Sequence, residues 1–321
     1  MDEARALYEE SLAICREIGD RRSEASSLNN LGILHWRQGR MDEARAMVDE
    51  SLAISKEIGD KRGMANSLNS LSNIISDQGR IDEARAMYEE SLAILHELGD
   101  RRGEANSLLN LGILHFEQGR IDEARAKYEE SLTIFRELGE RRGEAASLNS
   151  LGILHYVKGR RYEARAMFEE SLEIRREIGD RRGEASTLDN IAELQIATGE
   201  LLNAHETLAR LMEIVQELHD INTEAYGRCR YVPYWLAVAR GKIQRDTTLR
   251  VVDINPHDSE NRVTPDDPEP DATIADCAAN ARASLAEAEK HATELGAGPQ
   301  SELGQLLEKS RKALAEFEAE H

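Results

Sequence analysis

The sequence predicts an all-α protein, a solenoid of antiparallel helix pairs, and three observations support that fold class. A block of forty residues recurs, since Gly-Arg-Ile-Asp-Glu-Ala-Arg-Ala begins at Gly79 and again at Gly119. Ser-Leu-Asn-Asn-Leu-Gly-Ile-Leu-His at 27–35 returns with one change at 107–115 and at 147–155. Apolar residues also fall at helical spacing twice in each block. A fixed period of this length indicates a stack of repeated supersecondary units rather than one globular core.

Each block contains two predicted amphipathic helices, called here the first helix and the second helix of a repeat. In the block 21–60, Leu28 and Leu31 share one face of the first helix. Ala44 and Val48 face inward from the second helix. A Gly-Arg pair separates the two helices, and glycine readily takes the positive φ that ends a helix. Each block is therefore predicted to be a helical hairpin.

The ends of the second helices follow a fixed pattern of glycine and then an acidic residue. Gly59, Gly99 and Gly179 are each followed by an aspartate. An aspartate before a helix accepts hydrogen bonds from the first free backbone amides, so these residues are predicted to cap the next first helix.

Two positions in the repeat hold small side chains. The first helices carry one series, Gly32, Ser72, Gly112, Gly152 and Ala192, and the second helices carry another, Ala44, Ala84, Ala124, Ala164 and Ala204. Small side chains let two helix axes approach closely. Glycine inside a helix costs about 1 kcal/mol relative to alanine, so its recurrence indicates a packing requirement that outweighs this cost.

The alternation of Leu31-Gly32, then Ala44, then an aromatic residue such as Tyr88 resembles the tetratricopeptide repeat. The resemblance covers about residues 1–220. The unit is longer than the usual repeat of about thirty-four residues and lacks the proline that often closes it. These departures are similar to the longer repeats of kinesin light chains, spindle adaptors and bacterial signalling proteins. The resemblance implies a right-handed superhelical solenoid whose first helices line a concave, protein-binding groove.

The predicted segments of the chain follow the forty-residue period of the repeat. Residues 1–20 align with a second helix that has no first helix. The remaining segments are five repeats (21–60, 61–100, 101–140, 141–180 and 181–220), a divergent capping repeat at 221–252, an acidic proline-rich linker at 253–272 and a helical hairpin at 273–321. Three explanations of the incomplete first unit remain open: a fragment of a larger protein, completion by self-association, and a tolerated open end.

Composition and charge exclude several classes of binding partner and of targeting segment. The formal net charge of −20 argues against nucleic acid or an anionic membrane, because both require a cationic surface. Cys15, Cys229 and Cys277 lack the spacing of metal ligands. The acidic N-terminus is unlike a signal peptide, and the longest apolar stretch, 231–239, is too short to span a bilayer. The sequence therefore predicts a cytoplasmic protein.

The positions lining the expected groove vary between repeats, whereas the scaffold positions scarcely change. This contrast predicts that the groove determines specificity. The candidate peptide-binding residues are Asn29, Trp36, Arg37, Asn66, Asn69, Asn73, Asn106, Phe116, Asn149, Tyr156, Asp189 and Glu193. Asparagine both donates and accepts hydrogen bonds, which suits the backbone of a bound peptide, and buried aromatic residues anchor many interfaces. The alternative is that the amides only solvate the groove and the aromatic residues cover packing between repeats.

Two other recurring features are predicted to be structural. His35, His115 and His155 occur once per repeat, too far apart to share a metal ion, so they are interpreted as packing residues. The basic pair that opens each first helix, such as Arg21-Arg22, is preceded by an acidic residue and is interpreted as a salt-bridged edge rather than a site for acidic ligands.

The sequence thus predicts a non-catalytic scaffold that binds a peptide or protein segment in the groove, without cofactor or metal. No phosphate-binding glycine loop, nucleophile elbow or zinc-protease motif occurs. A clamp for chaperone tails is disfavoured because Arg37 is the only cation among the groove positions. The alternative is the sensor or interaction tail of a larger bacterial signalling protein (a kinase, an ATPase or a transcription regulator).

Overall fold

The computed structural model describes residues 2–218, 234, 274–295, 297–298 and 301–320. All regular structure in these ranges is α-helical. The chain forms two compact units, residues 1–158 and 159–321. The predicted capping repeat at 221–252, apart from Tyr234, and the predicted linker at 253–272 lie outside the described residues.

The first unit is built of eight consecutive helices, each running nearly the full length that the periodicity predicts. They are α1 (Asp2–Ile18), α2 (Arg21–Arg37), α3 (Met41–Glu57), α4 (Lys61–Asp77), α5 (Ile81–Glu97), α6 (Arg101–Glu117), α7 (Ile121–Leu138) and α8 (Arg141–Val157). Each helix packs against the next along the chain, and the tightest contacts join α2 to α3, α4 to α5 and α6 to α7. These three pairs are the first and second helices of complete repeats.

The second unit contains five described helices. They are α9 (Arg161–Glu177), α10 (Arg181–Thr198), α11 (Leu201–Leu218), α12 (Ile274–Glu294) and α13 (Glu302–Glu320). Helix α10 packs against α9 and α11, and α12 packs against α13. One apolar cluster joins side chains of α11, such as Leu208, with Tyr234 and with Leu307 and Phe317 of α13. The C-terminal helices thus share a core with the last repeat.

Short turns connect the helices, as the glycine pattern predicts. Gly39 takes φ 74° between α2 and α3, a conformation that side chains with a Cβ rarely adopt. At the start of α2 the carboxylate of Asp20 accepts a hydrogen bond from the Ser23 amide at 3.1 Å, and Asp100 caps α6 through Gly103 at 3.0 Å. The prediction is wrong for Asp60, which makes no side-chain capping hydrogen bond to α4 and instead pairs with Arg22. The connections are therefore too short for any arrangement but an antiparallel hairpin.

The small-residue position of the first helix is a close contact with the second helix of the same repeat. A Cβ added to Gly112 would lie 2.4 Å from the ring of Tyr128, and one added to Gly32 would lie 2.4 Å from Cγ2 of Val48. Both distances are far shorter than van der Waals contact. The predicted requirement for a small residue is therefore confirmed, because the side chain opposite each of these glycines fills the space that a larger residue would need.

Buried serines join neighbouring repeats, a feature that the sequence analysis missed. The Ser51 hydroxyl on α3 donates to the backbone oxygen of Ala25 on α2 at 2.7 Å and shares a hydrogen bond with Ser67 on α4 at 2.9 Å. Ser131 repeats the first contact, donating to Ala105 O at 2.8 Å. One hydroxyl thus connects its own first helix to the next one, and each such bond contributes about 1 kcal/mol.

A glutamate of the first helix is buried and held by two cations. Glu24 accepts from Arg21 at 2.6 Å and from Arg16 of α1 at 2.9 Å. Burial raises the pKa of Glu24, but the hydrogen bonds from Arg16 and Arg21 outweigh it and leave the pKa below its usual value. Glu104, Glu144 and Glu184 are also buried. The carboxylate of Glu24 is therefore charged and ties α1 to α2, and the equivalent glutamates make the same kind of contact in later repeats, except on α4, where Met64 stands at this position.

The basic pairs lie in salt bridges at the edge of the stack. Arg21 pairs with Glu57 at 2.8 Å, and Arg22 pairs with Asp60 at 2.9 Å. The spacing recurs in the next repeat, where Lys61 pairs with Glu97. These exposed pairs contribute little stability individually, but they set which ends of two helices meet.

Gly112→Leu is expected to destabilise the first unit by at least about 2 kcal/mol, because the added side chain would overlap the Tyr128 ring. The matched control is Ile113→Leu, an exposed position one residue further along α6. Urea denaturation followed by circular dichroism measures both. Equal midpoints for Gly112→Leu and the control would contradict the close-contact account.

A second prediction concerns pH and the buried His35. Burial lowers the pKa of the His35 imidazole in the folded protein. Near pH 6.5 the imidazole is therefore neutral in the folded state, whereas it takes up a proton in the unfolded chain. The unfolded state then binds more protons, and stability falls as pH drops from about 7.5 to about 5.5, by at most about 1.4 kcal/mol per pH unit for this residue. Urea midpoints at the two pH values should fall more for wild type than for His35→Gln; parallel losses would contradict the prediction.

Candidate functional site

The first helices of neighbouring repeats contact each other, α2 with α4 and α6 with α8. Their outer side chains form a surface that we call the first-helix face. In the first complete repeat it comprises Ser26, Asn29, Asn30, Ile33, Trp36 and Arg37, and the later first helices of the first unit contribute the residues at the equivalent positions. The sequence analysis identified these positions except for that of Asn30.

A cleft of about 730 Å³ opens on this face between α2 and α4. It brings together two of the predicted site residues, Asn29 and Asn66, and adds Asn30, which the prediction missed. The other lining side chains are mostly hydroxyl and basic groups: Arg22, Ser26, Ser51, Ser55, Asp60, Lys61, Arg62 and Ser67. The cleft therefore offers hydrogen-bond donors and acceptors at closely spaced points.

The cleft is wide at this point because Ser55 is small. The position of Ser55 is occupied by Leu95 and Phe135 in the next two repeats, where these side chains fill the space against Gly103 and Gly143. Ser55 instead contributes only a hydroxyl, opposite Gly63. Alignment of the repeats shows this difference in the sequence, since Ser55 stands where the next two repeats have Leu95 and Phe135 and the fourth has Arg175.

A smaller cavity of about 130 Å³ lies between α4 and α6 and contains Asn73. The Tyr88 hydroxyl donates to Oδ1 of Asn73 at 2.5 Å. Burial, followed by the charges of Asp77 and Glu117, raises the pKa of Tyr88 above its ordinary value, so the hydroxyl remains a donor. Asn73 therefore keeps its amide nitrogen as the group that can donate into the cavity.

Three predicted amides are less available to a ligand. Asn69 Nδ2 on α4 donates to Ser107 Oγ on α6 at 2.9 Å. Asn106 is exposed, but its amide donates to the Arg102 backbone oxygen at 2.9 Å. Asn149 is buried in α8. Asn69 and Asn149 thus contribute to the packing of repeats as well as to the first-helix face.

The aromatic positions lie along the C-terminal halves of the first helices. Trp36, Phe116 and Tyr156 are all half-buried, whereas Arg37 is exposed. The Trp36 indole donates to Oδ2 of Asp77 on α4 at 2.6 Å. This bond fixes the indole ring against the next repeat, so the ring presents one edge to solvent in a defined orientation.

Asp189 and Glu193 belong to the second unit, where both lie half-buried on α10. They stand at the positions that asparagine and isoleucine occupy on α2. The first-helix face of this repeat is therefore acidic where that of the first complete repeat is neutral.

In the part of the chain that the structure describes, no three His, Cys, Asp or Glu side chains gather closely enough to hold a metal ion. His35 is buried among packed helices. Among the described helices, none has the length and apolar character needed to cross a bilayer.

Comparison with known proteins identifies the repeat. The tetratricopeptide repeat pattern matches residues 1–57, 63–137 and 143–217. No curated protein sequence matches the chain. Among solved structures, BtubC (BKLC) from P. vanneervenii is similar with a TM-score of 0.57 at 22% identity, over 68% of this chain and 92% of that one.

Two further structures share the fold at lower identity. A signal transduction ATPase with numerous domains and a tetratricopeptide repeat sensor, from Pyrococcus horikoshii, has a TM-score of 0.58 at 17% identity, over 74% of this chain and 37% of that one. Rap protein, complexed with competence and sporulation factor, has a TM-score of 0.61 at 15% identity, over 95% of this chain and 81% of that one. The all-α solenoid fold is confirmed, and the chain belongs to the tetratricopeptide repeat family.

Proposed function

We propose that the protein is a non-catalytic scaffold that binds a peptide or protein segment on the first-helix face of its first unit. The single observation that most supports this is the cleft between α2 and α4, where Asn29, Asn30 and Asn66 converge. Tetratricopeptide repeats are typically non-catalytic and bind protein partners. Two structures with a similar fold are complexes, Rap protein with competence and sporulation factor and Cut9 with Hcn1.

The chemistry of the cleft suits a peptide backbone better than a charged group. An asparagine amide both donates and accepts, so Asn30 and Asn66 can each pair with a peptide N–H and C=O at once. The Oδ1 atom of Asn29 is itself buried. The basic residues at the rim are already ion-paired: Arg22 with Asp60, Lys61 with Glu97, and Arg62 with Asp100. A purely anionic ligand would have to compete with these carboxylates.

Rigidity of the stack favours binding. The amides stand on helices locked by buried hydrogen bonds such as Ser51 to Ala25, so little conformational entropy is lost when a ligand binds. Trp36, fixed by Asp77, supplies a preoriented aromatic edge further along the same face. The proposed mechanism is capture of an extended segment by preformed polar and aromatic contacts.

The double variant Asn29→Ala/Asn66→Ala is expected to weaken partner binding by about tenfold or more, because two amides leave the cleft. Its melting temperature should barely move, since Asn66 is exposed and Asn29 half-buried. Partners are identified by affinity capture with quantitative mass spectrometry, and the affinity of the strongest is then measured by calorimetry.

Two control variants complete this test. Asn203→Ala removes an exposed asparagine from the second helix α11 and should leave both binding and stability unchanged. Asn69→Ala loses the hydrogen bond to Ser107 and should lower stability by about 1 kcal/mol. A partner that binds the double variant as tightly as the Asn203→Ala protein would rule out the cleft.

A second candidate is a sensor or interaction module of a larger signalling protein. The similar ATPase carries a tetratricopeptide repeat sensor, and this chain spans 37% of its length. That likeness concerns the fold alone, so the gene sequence provides the test. A kinase, ATPase or regulator domain encoded in the same reading frame would support this second candidate. A stop codon directly upstream would argue against it.

The first unit has another surface that supports association. Ile14 on α1 is exposed, although the equivalent Ile54 is buried. This face suits contact with another chain, and self-association through the incomplete repeat is one such contact.

A further inference from the structure

Ser55 carries a buried hydroxyl that makes no hydrogen bond within the part of the chain that the structure describes. The residue is 0% exposed. The buried serines that join neighbouring repeats are bonded, since Ser51 donates to the backbone oxygen of Ala25 at 2.7 Å and Ser91 donates to that of Ala65 at 2.9 Å. A buried hydroxyl without a partner is unfavourable. Ser55 therefore offers a donor and an acceptor to a group that enters from outside the chain.

The position of Ser55 shows where such a group would enter. Ser55 lines the cleft between α2 and α4, and its Oγ lies 2.7 Å from where a Cβ on Gly63 would be. In the next two repeats Leu95 and Phe135 lie against the equivalent glycines, and Leu95 does not line the cavity between α4 and α6. The room that the branched end of leucine fills in the next repeat therefore belongs to the cleft in this one. We call the region around Ser55 and Gly63 the Ser55 pocket.

The charges around the cleft disfavour an ionised group in the Ser55 pocket. Its rim cations are each paired with a carboxylate, such as Arg22 with Asp60 at 2.9 Å and Lys61 with Glu97 at 2.8 Å. A charged ligand group would therefore lose its hydration without gaining an unpaired charge of opposite sign. An apolar group would leave the Ser55 hydroxyl unpaired. An uncharged group that donates and accepts hydrogen bonds fits both conditions.

A carboxamide has this chemistry and a suitable shape. The end of an asparagine side chain is branched like that of leucine, the residue that fills the equivalent room in the next repeat. Its NH₂ group donates and its C=O accepts, so it pairs with a hydroxyl in either orientation of the amide. We propose that the Ser55 pocket holds the carboxamide of an asparagine or glutamine side chain of the bound segment, and that Ser55 selects for it. This inference rests on the proposed function of the cleft and names the side chain that the cleft recognises.

The Ser55 pocket would also fix the register of the bound segment. Leu95 and Phe135 stand at the equivalent positions of the next two repeats, so an amide has no such hydroxyl to pair with there. Asn30 and Asn66 line the same cleft and remain for the backbone of the segment. A bound segment is therefore expected to carry one asparagine or glutamine at a fixed position among residues that vary.

A random linear peptide library displayed on phage is the probe. It is panned on the full chain and on Ser55→Leu, and the bound peptides are sequenced. Peptides enriched on the wild-type chain should share one asparagine or glutamine position, and those enriched on Ser55→Leu should lack it, because leucine fills the pocket. Leu95 shows that leucine fits against the equivalent Gly103, so the variant is expected to fold with a urea midpoint no lower than that of wild type.

Ser55→Ala separates the effect of the hydroxyl from that of the room around it. For an enriched peptide, replacement of the selected amide residue by leucine should weaken binding to the wild-type chain by about tenfold in fluorescence anisotropy. Ser55→Ala should bind the amide and leucine peptides within about twofold of each other, because the hydroxyl that discriminates between them is absent. Aspartate at the selected position should weaken binding to the wild-type chain by about tenfold or more.

Two further variants serve as controls. Ala53→Leu adds a leucine at an exposed position of the same helix α3, outside the cleft, and should enrich the same peptides as the wild-type chain. Asn29→Ala/Asn66→Ala removes two amides from the cleft and leaves Ser55 in place, so it tests the cleft and not the pocket.

The outcomes distinguish failure of the pocket from failure of the cleft. Enriched peptides that require Asn29 and Asn66 but share no asparagine or glutamine position would overturn the carboxamide assignment alone, and a shared serine or threonine would do the same. A shared amide position that persists on Ser55→Leu would show that Ser55 does not select it. A wild-type chain that enriches no peptide over Asn29→Ala/Asn66→Ala would contradict the proposed function and this inference together.

Discussion

The close approach of the two helices within each repeat is the contact on which the rest of the molecule depends. Glycine at the small-residue position lets the side chain opposite, Tyr128 or Val48, lie where a Cβ would otherwise be. That contact sets the spacing of each hairpin. The buried hydroxyl of Ser51 and the buried carboxylate of Glu24 then join one hairpin to the next through direct hydrogen bonds. The first helices consequently stand side by side, with their remaining face left for other contacts.

This construction explains why the repeats can differ on one face only. The hairpin contacts tolerate no larger residue at the small positions, and the buried polar groups must keep their partners. Most outer positions of the first helices meet neither constraint, although Asn69 and Asn149 also take part in packing. Serine at position 55, in place of the leucine and phenylalanine of later repeats, opens a cleft without loss of the flanking hydrogen bonds. A local change in packing volume thus creates a binding surface on an otherwise uniform scaffold.

The helices, their turns and the close glycine contacts could all be predicted from the sequence, because they depend on residues within one hairpin. Helix α2 ends where the glycine pattern places its end, and the aspartate before it caps as expected. The site was only partly predictable. Asn30 was missed, and the bond from Asn69 to Ser107 and the burial of Asn149 depend on how one repeat meets the next. The pattern within one repeat does not specify how that repeat packs on the next. The small residue Ser55, at a position where the next two repeats have larger residues, could have been found from the sequence.

Site-specific photo-crosslinking tests most directly whether the first-helix face is where the partner binds. A photo-reactive residue at Ser26, exposed at the edge of the cleft, is compared with one at Ala53, exposed on the second helix α3 of the same repeat. The account predicts a crosslinked partner from position 26 and none from position 53. Crosslinking from position 53, with position 26 silent, would show that the partner binds the opposite side of the stack.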